Sequence, residues 1–270
     1  AATFYQMDLL DPGLEELFKR ERPEAVFHLA AQVSVARSLE DPISDATCNI
    51  VGAIHLLELC RRFEVQRFIY SSTGGALYGN PEHLPCSEEH PIRPLSPYGV
   101  SKYAVEHYIH CLGSIANMKY SILRYGNVYG PRQDPEGEAG VIAIFTKRML
   151  EKTQIVIYGS GQQERDFVYV DDVVDANMQV FQKETQGPYN IGTGRSTSVE
   201  TIFRKLAYLT GYGQPPQYDP PRKGEVMKIS LDIAKALSDL GWSPKTDLDN
   251  GLTKTVEYFS RQRENGLLLR

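Results

Sequence analysis

The chain has 270 residues, is 41% hydrophobic and 23% charged, and carries a net charge of −5. These values suit a globular protein of one large domain or two smaller ones, and no basic patch argues for a nucleic-acid partner. No unbroken apolar run reaches the roughly 18 residues of a membrane helix, and the opening AATFYQMDLLDPG reads neither as a signal peptide nor as a transit sequence.

In chain order, Thr3 to Met7 reads as a strand, and Asp11-Pro12 opens a helix to about Arg20. Ala25 to Leu29 (AVFHL) is a buried strand. Asp41-Pro42 starts a long helix to about Phe63, and Arg67 to Ser71 is the next strand. Residues 74–97, rich in Gly, Pro and charge, read as loop. Pro97 begins another helix, and Tyr120 to Arg124 is a further strand. The turn-rich stretch GNVYGPRQDPEGEAG follows; loops of that length in compact domains tend to be functional. Beyond it come a helix at 140–151, strands at 154–158 and 165–170, a helix at 171–181, and helical patterns near 198–210, 232–240 and 247–263. Strands alternating with amphipathic helices predict an α/β fold with a doubly wound parallel sheet and a smaller lobe.

The four cysteines, Cys48, Cys60, Cys86 and Cys111, form no CxxC pair and read as reduced thiols of a cytoplasmic protein. His107 and His110 share a helix face, but no third ligand accompanies them, so no metal site is expected.

The chemistry sits in two pieces: a hydroxyl cluster, Ser71-Ser72-Thr73, at a strand end, and Tyr98-Gly99-Val100-Ser101-Lys102. Tyr98 and Lys102 share one helix face. An ammonium beside a phenol lowers the phenol's pKa, and a hydroxyl from Thr73 or Ser72 can hold a substrate alcohol against it. That is equipment for moving a proton on and off a sugar or alcohol oxygen. In an open parallel sheet ligands bind at the carboxyl ends of strands. Ala30-Ala31-Gln32, Ser71 to Thr73 and Asn127 all fall there. No GxGxxG loop follows a strand near the N-terminus, so either this is not a dinucleotide fold or the chain lacks its first βαβ unit; an opening that reads directly into a strand favours the second.

FHLAAQ (27–32), YSSTGGALYG (70–79), SPYGVSK (96–102), LRYGNVYGPRQDP (123–135), IYGSGQQERDFVYVDDVVDA (157–176), YNIGTG (189–194), RKGEV (222–226) and LGWSP (240–244) come in one order across nearly the whole chain. In these stretches the chain resembles the extended short-chain dehydrogenase/reductases, the NAD-dependent epimerase/dehydratase family. Among them it is most similar to the nucleotide-sugar 4-epimerases. The resemblance implies a Rossmann-type dinucleotide-binding domain over 1–126 and 164–190. A nucleotide-sugar domain would then span 127–163 and 191–270. It implies NAD as cofactor and a UDP-hexose as substrate, epimerised at carbon 4 through a transient 4-keto sugar.

Carried over position by position, Tyr98 is the implied catalytic base, aided by Lys102 and by Thr73 or Ser72. Asp8, Leu9, Ala30, Ala31, Gln32, Asn49, Ser71, Tyr98, Lys102 and Tyr125 match cofactor contacts. Asn127 matches a phosphate-binding amide. Val141, Ile142, Ile157 and Tyr158 match segments around the uracil, Arg165 and Arg222 the diphosphate arginines, and Glu225 a uridine-ribose contact. Thr73 and Tyr98 also face the sugar, whose 2-substituent Ile229 is expected to limit. One departure concerns the serine/threonine slot four residues before the YG tyrosine. Here it is Gly74, which moves the expectation to Thr73, with Ser72 second. Gly74-Gly75 also lack the acidic pair with which dehydratase relatives eliminate water. The alternatives are another epimerase or dehydratase of the family, acting on UDP-GlcNAc, UDP-glucuronate or dTDP-glucose, and a non-catalytic nucleotide-binding regulator. A structural Arg165–Asp166 ion pair is the bland alternative for that arginine. By the same resemblance, helices 42–63 and 97–116 pair in a homodimer.

Overall fold

The apolar runs pair as the alternating pattern predicts. In the computed structural model, which describes residues 2–136, 140–222 and 225–265, four strands lie side by side in the order Ala25–His28, Arg67–Thr73, Lys119–Tyr125 and Gly187–Ile191. Each is parallel to its neighbour, with Tyr70 opposite Ile122 and Thr73 opposite Tyr125. A parallel sheet is buried on both faces, and successive side chains take opposite sides. Phe68, Tyr70 and Ile122 therefore enter one layer with Leu56, Leu57, Val105 and Ile109. Ile69 and Leu123 enter the other with Val173, Val180, Tyr189 and Trp242. A separate core of Tyr129, Ile142, Phe145, Ile157, Ile202, Phe203, Leu206 and Leu252 supports the second lobe.

Two long helices cover the first layer. The helix Pro97–Ala116 starts where the Ser96 hydroxyl accepts from the Gly99 N–H at 3.2 Å, with proline at its first position, and ends on a left-handed Asn117. The helix Pro42–Arg62 is capped by the Asp41 carboxylate on the Ser44 N–H at 2.9 Å and widens into a π turn at Thr47–Val51. By length and composition this helix passes for a membrane span, which the search for an unbroken apolar run did not anticipate. Within the fold 44% of that window is buried, and the helix packs along Pro97–Ala116.

Several elements differ from the sequence reading. Thr3–Met7 forms no strand, and Phe4 is 85% exposed. Extended backbone becomes a strand only when a neighbour supplies hydrogen bonds, and among the described residues none pairs with it. The loop 74–97 contains a one-turn helix, Gly74–Leu77, and a short helix Val35–Glu40 precedes Pro42. The strand Gly187–Ile191 carries Gly187 and Pro188, which hide it from a propensity reading. The strand expected over 165–170 breaks at Asp166 into Glu164–Arg165 and Phe167–Tyr169. All four cysteines are free thiols. Lys223 and Gly224 of the RKGEV motif lie outside the described residues.

Candidate active site

Strand alternation sorts the hydroxyl cluster. Ser71 and Thr73 lie on one face of their strand and Ser72 on the other. Ser72 is buried and donates to Glu106 Oε1 at 2.5 Å, so it does not join Tyr98, a correction to its place as second candidate. Thr73 stands beside Tyr98. The would-be Cβ of Gly75 lies 3.3 Å from Asn127 Oδ1 and 3.8 Å from Thr73 Oγ1, so amide and hydroxyl converge on a glycine that leaves space between them.

Gly74 has a different reason to be glycine. A Cβ there would sit 2.5 and 2.7 Å from the two methyls of Leu231. Leu231 is fully buried and has nowhere to move. A hydroxyl cannot occupy this slot, which is why the nearest available one is on Thr73. Gly74→Ser should cost about 1–3 kcal/mol by overpacking. The double variant with Leu231→Ala should then cost less than the two single losses added; additive denaturation midpoints would contradict this contact.

Lys102 is buried at 4% exposure. Its ammonium donates to the Ser71 carbonyl at 2.7 Å and lies 4.6 Å from the Tyr70 ring centroid, a cation–π contact. Burial pushes Lys102 down to about 8, against the pull of Glu106, Asp45 and Cys48. Burial pushes Tyr98 up to about 12; the Thr73 hydroxyl pulls it down and the Asp45 charge pushes it further up. Lys102 is not among the groups that shift Tyr98. The expected phenolate is therefore corrected: in the protein alone Tyr98 is a neutral phenol, because desolvation outweighs everything near it.

The cofactor-side expectations fall into separate groups. Ala30, Ala31 and Gln32 follow the strand Ala25–His28. The Gln32 N–H donates to Asn49 Oδ1 at 2.9 Å and the Gln32 carbonyl accepts from Asn49 Nδ2 at 3.0 Å. Asn49 thus holds the turn; both its amide hydrogens are taken, by Gln32 and Asp45, and its Oδ1 keeps one lone pair. Asp45, which the sequence reading missed, accepts from Gln32, Asn49 and Ser101. It stands four residues before Asn49 on the same helix, a spacing that by itself gave no signal. The Tyr125 hydroxyl meets Ser71 Oγ at 3.2 Å and accepts from Asn177 Nδ2 at 2.8 Å. Leu9 packs over Gly52, while Asp8 is exposed and accepts from the Leu10 N–H at 2.9 Å, closing its own turn.

On the other lobe, Arg165 Nη2 donates to Glu225 Oε1 at 2.9 Å. The Arg165–Asp166 pair does not form. Asp166 is fully buried and instead accepts from the N–H groups of Thr193, Gly194 and Leu231 at 2.8, 3.1 and 3.1 Å. Arg222 lies over the Tyr158 ring at 4.2 Å. Val141 is half-buried, whereas the side chains of Ile142 and Ile157 belong to the core, so only their main chain can border a ligand. Ile229 is buried with Tyr78, Cys86 and Leu231, behind Gly74. No metal-ligating cluster occurs among the described residues.

Strand-end hydroxyls over a Tyr-x-x-x-Lys helix turn, on a parallel sheet with a second lobe, define a Rossmann-type enzyme of the short-chain dehydrogenase/reductase class. A family profile described as GDP-mannose 4,6 dehydratase matches residues 1–255. The chain belongs to this NAD-dependent epimerase/dehydratase family. The UDP-glucose 4-epimerase of Mycolicibacterium smegmatis is 41% identical over 262 residues, 97% of this chain and 84% of that protein. The crystal structure of the Thermotoga maritima UDP-glucose 4-epimerase with UDP-glucose is 50% identical with a TM-score of 0.95, covering 97% of this chain and 85% of that one. The Thermus thermophilus UDP-glucose 4-epimerase in complex with NAD is 41% identical with a TM-score of 0.90, covering 95% and 84%.

Proposed function

We propose that this chain catalyses NAD-dependent epimerisation of a UDP-hexose at carbon 4, interconverting UDP-glucose and UDP-galactose through a 4-keto sugar. The placing of Thr73 beside Tyr98, with Lys102 one helix turn on, carries the reading. The residues present suit NAD. Ala30 and Ala31 are small enough at a strand end for a flat ligand to approach the backbone. Lys102 has three N–H donors and one protein acceptor among the described residues, the Ser71 carbonyl. Asp8, Leu9, Ala30, Ala31, Gln32, Ser71, Tyr98, Lys102 and Tyr125 would hold it, with Asn49 fixing the turn. When bound, NAD would supply an acceptor and donor of the hydride at carbon 4 and, oxidised, a positive charge that favours the Tyr98 phenolate.

The chain's own residues handle protons and anchoring. Tyr98 removes the proton of the 4-hydroxyl and gives it back, and Thr73 orients the 4-oxygen. Lys102 grips the ribose with the N–H donors that the Ser71 carbonyl leaves free. Arg165 and Arg222 hold the diphosphate, since guanidinium forks match phosphate oxygens. Asn127 adds an amide, Glu225 faces the uridine ribose, and the segments of Val141–Ile142 and Ile157–Tyr158 border the uracil. Anchoring on one lobe and chemistry on the other leave the sugar free to present its second face. Gly74 and Gly75 offer no acid to eliminate water.

Incubating the protein with UDP-glucose and following the anomeric protons by NMR should show UDP-galactose and no accumulating keto sugar. A dehydrated or decarboxylated product would overturn the reading. Isoleucine at 229 leaves more room than an aromatic, so the same assay should detect turnover of UDP-GlcNAc, slower than that of UDP-glucose. Ile43, Val51, Val100, Tyr108 and Ile115, on the two long helices, are 43–79% exposed. That exposure supports a homodimer formed through these helices in a cytoplasmic enzyme; light scattering at twice 30.4 kDa checks the dimer.

A further inference from the structure

We propose that Asp45 is a positioning residue that locks the cofactor-side turn Ala30–Gln32 to the helix bearing Tyr98 and Lys102. Asp45 is 1% exposed, in the first turns of the helix Pro42–Arg62. Its Oδ1 accepts from Gln32 Nε2 at 2.8 Å and from Asn49 Nδ2 at 3.0 Å. Its Oδ2 accepts from Ser101 Oγ at 2.6 Å, and Ser101 is the residue before Lys102. Three chain segments thus meet on one carboxylate. Asn49, four residues on and inside the π turn, binds both the N–H and the carbonyl of Gln32. The Gln32 side chain bonds Ser34 through the Ser34 N–H at 2.5 Å and the Ser34 carbonyl at 2.9 Å. The turn is thereby tied from main chain and side chain together. Single π turns inside α-helices are frequent at functional sites.

The residue type follows from the donors. Gln32 Nε2, Asn49 Nδ2 and Ser101 Oγ all bring hydrogens, and a carboxylate accepts them without a donor of its own to satisfy. Burying a charge without a counter-ion is costly, and among the described residues Asp45 forms no salt bridge. The charge acts on its neighbours instead. Asp45 acts on Tyr98 and Lys102 of the next helix, and Glu106 and Cys48 also act on Lys102. The Tyr70 ring lies against Lys102 on the same face of the sheet, with His28 beside Tyr70. Asp45 favours the protonated form of both Lys102 and Tyr98.

The proposal rests on Tyr98 and Lys102 being the reacting pair, and its test is independent of turnover. Asp45→Asn keeps the geometry: its amide oxygen serves Gln32 and Asn49, and its NH2 donates to Ser101 Oγ. Asp45→Ala removes geometry and charge. The 13Cε resonance of Lys102, assigned by its loss in Lys102→Met, should titrate near 8 in the wild type and at lower pH in both variants. The Gln32 amide should exchange with solvent at least tenfold faster in Asp45→Ala and at the wild-type rate in Asp45→Asn. If Asp45→Ala does not fold, Ser101→Ala removes one link and should speed the same amide. An unmoved Lys102 midpoint in Asp45→Asn, or an unchanged Gln32 amide when the link is cut, overturns the proposal. Neither result touches the epimerase reading, which falls on a dehydrated or decarboxylated product or on an active Tyr98→Phe.

Discussion

Tyr98→Phe should lower kcat by about 10²–10⁴, roughly 3–5 kcal/mol of barrier, while UDP binding changes less than twofold. The phenol is the group placed to take and return the proton of the 4-hydroxyl, and the ring itself is kept. Burial holds the free hydroxyl up to about 12, so the wild-type rate should rise with pH on the acid side as the reacting phenol loses its proton. That limb should vanish in the Phe variant. The proposed anchoring groups Arg165, Arg222 and Glu225 lie on other segments and do not depend on Tyr98. Initial rates with UDP-galactose and calorimetric binding of UDP check both halves. A variant within tenfold of the wild-type kcat would remove Tyr98 from the mechanism.

Glu106→Ala should cost about 3–5 kcal/mol of stability, the usual penalty for leaving one member of a buried ion pair alone. Arg124 Nη2 donates to Glu106 Oε2 at 2.7 Å, with side chains only 5% and 6% exposed. The network extends further. Ser72 donates to Glu106, Arg124 Nη1 donates to the Tyr78 hydroxyl at 3.1 Å, and Tyr78 donates to Asn190 at 2.8 Å. The network therefore joins the Tyr98 helix, three strands and the loop after Thr73. The double variant Glu106→Leu/Arg124→Met removes both charges and should recover most of the loss. Urea midpoints of the three proteins decide it: a single-variant loss under about 1 kcal/mol would mean the pair is already hydrated or relaxed.

The residues proposed to act on a ligand were readable early because their spacing is local. Tyr98 and Lys102 need only helix periodicity, and Pro97 announces the helix. Ala30, Ser71 and Asn127 need only the rule that ligands gather at strand ends. Asp45 and Glu106 were missed because one acidic residue on a helix looks like any other until its partners, at positions 32 and 101 or 72 and 124, come into contact. Ser72 and Thr73 could not be told apart without knowing which face of the strand turns towards Tyr98.

Composition, the alternation of strands and helices, and the order of the motifs determined the class of fold and the kind of chemistry, because these depend on local periodicity and residue type. The tertiary structure alone decided the rest. It turned Ser72 inward, filled the Gly74 slot with Leu231, gave Asp166 to three backbone N–H groups and not to Arg165, and left Tyr98 a phenol. Each of these depends on which distant groups share a desolvated volume, where one hydrogen bond or one methyl outweighs any preference the neighbouring sequence carries.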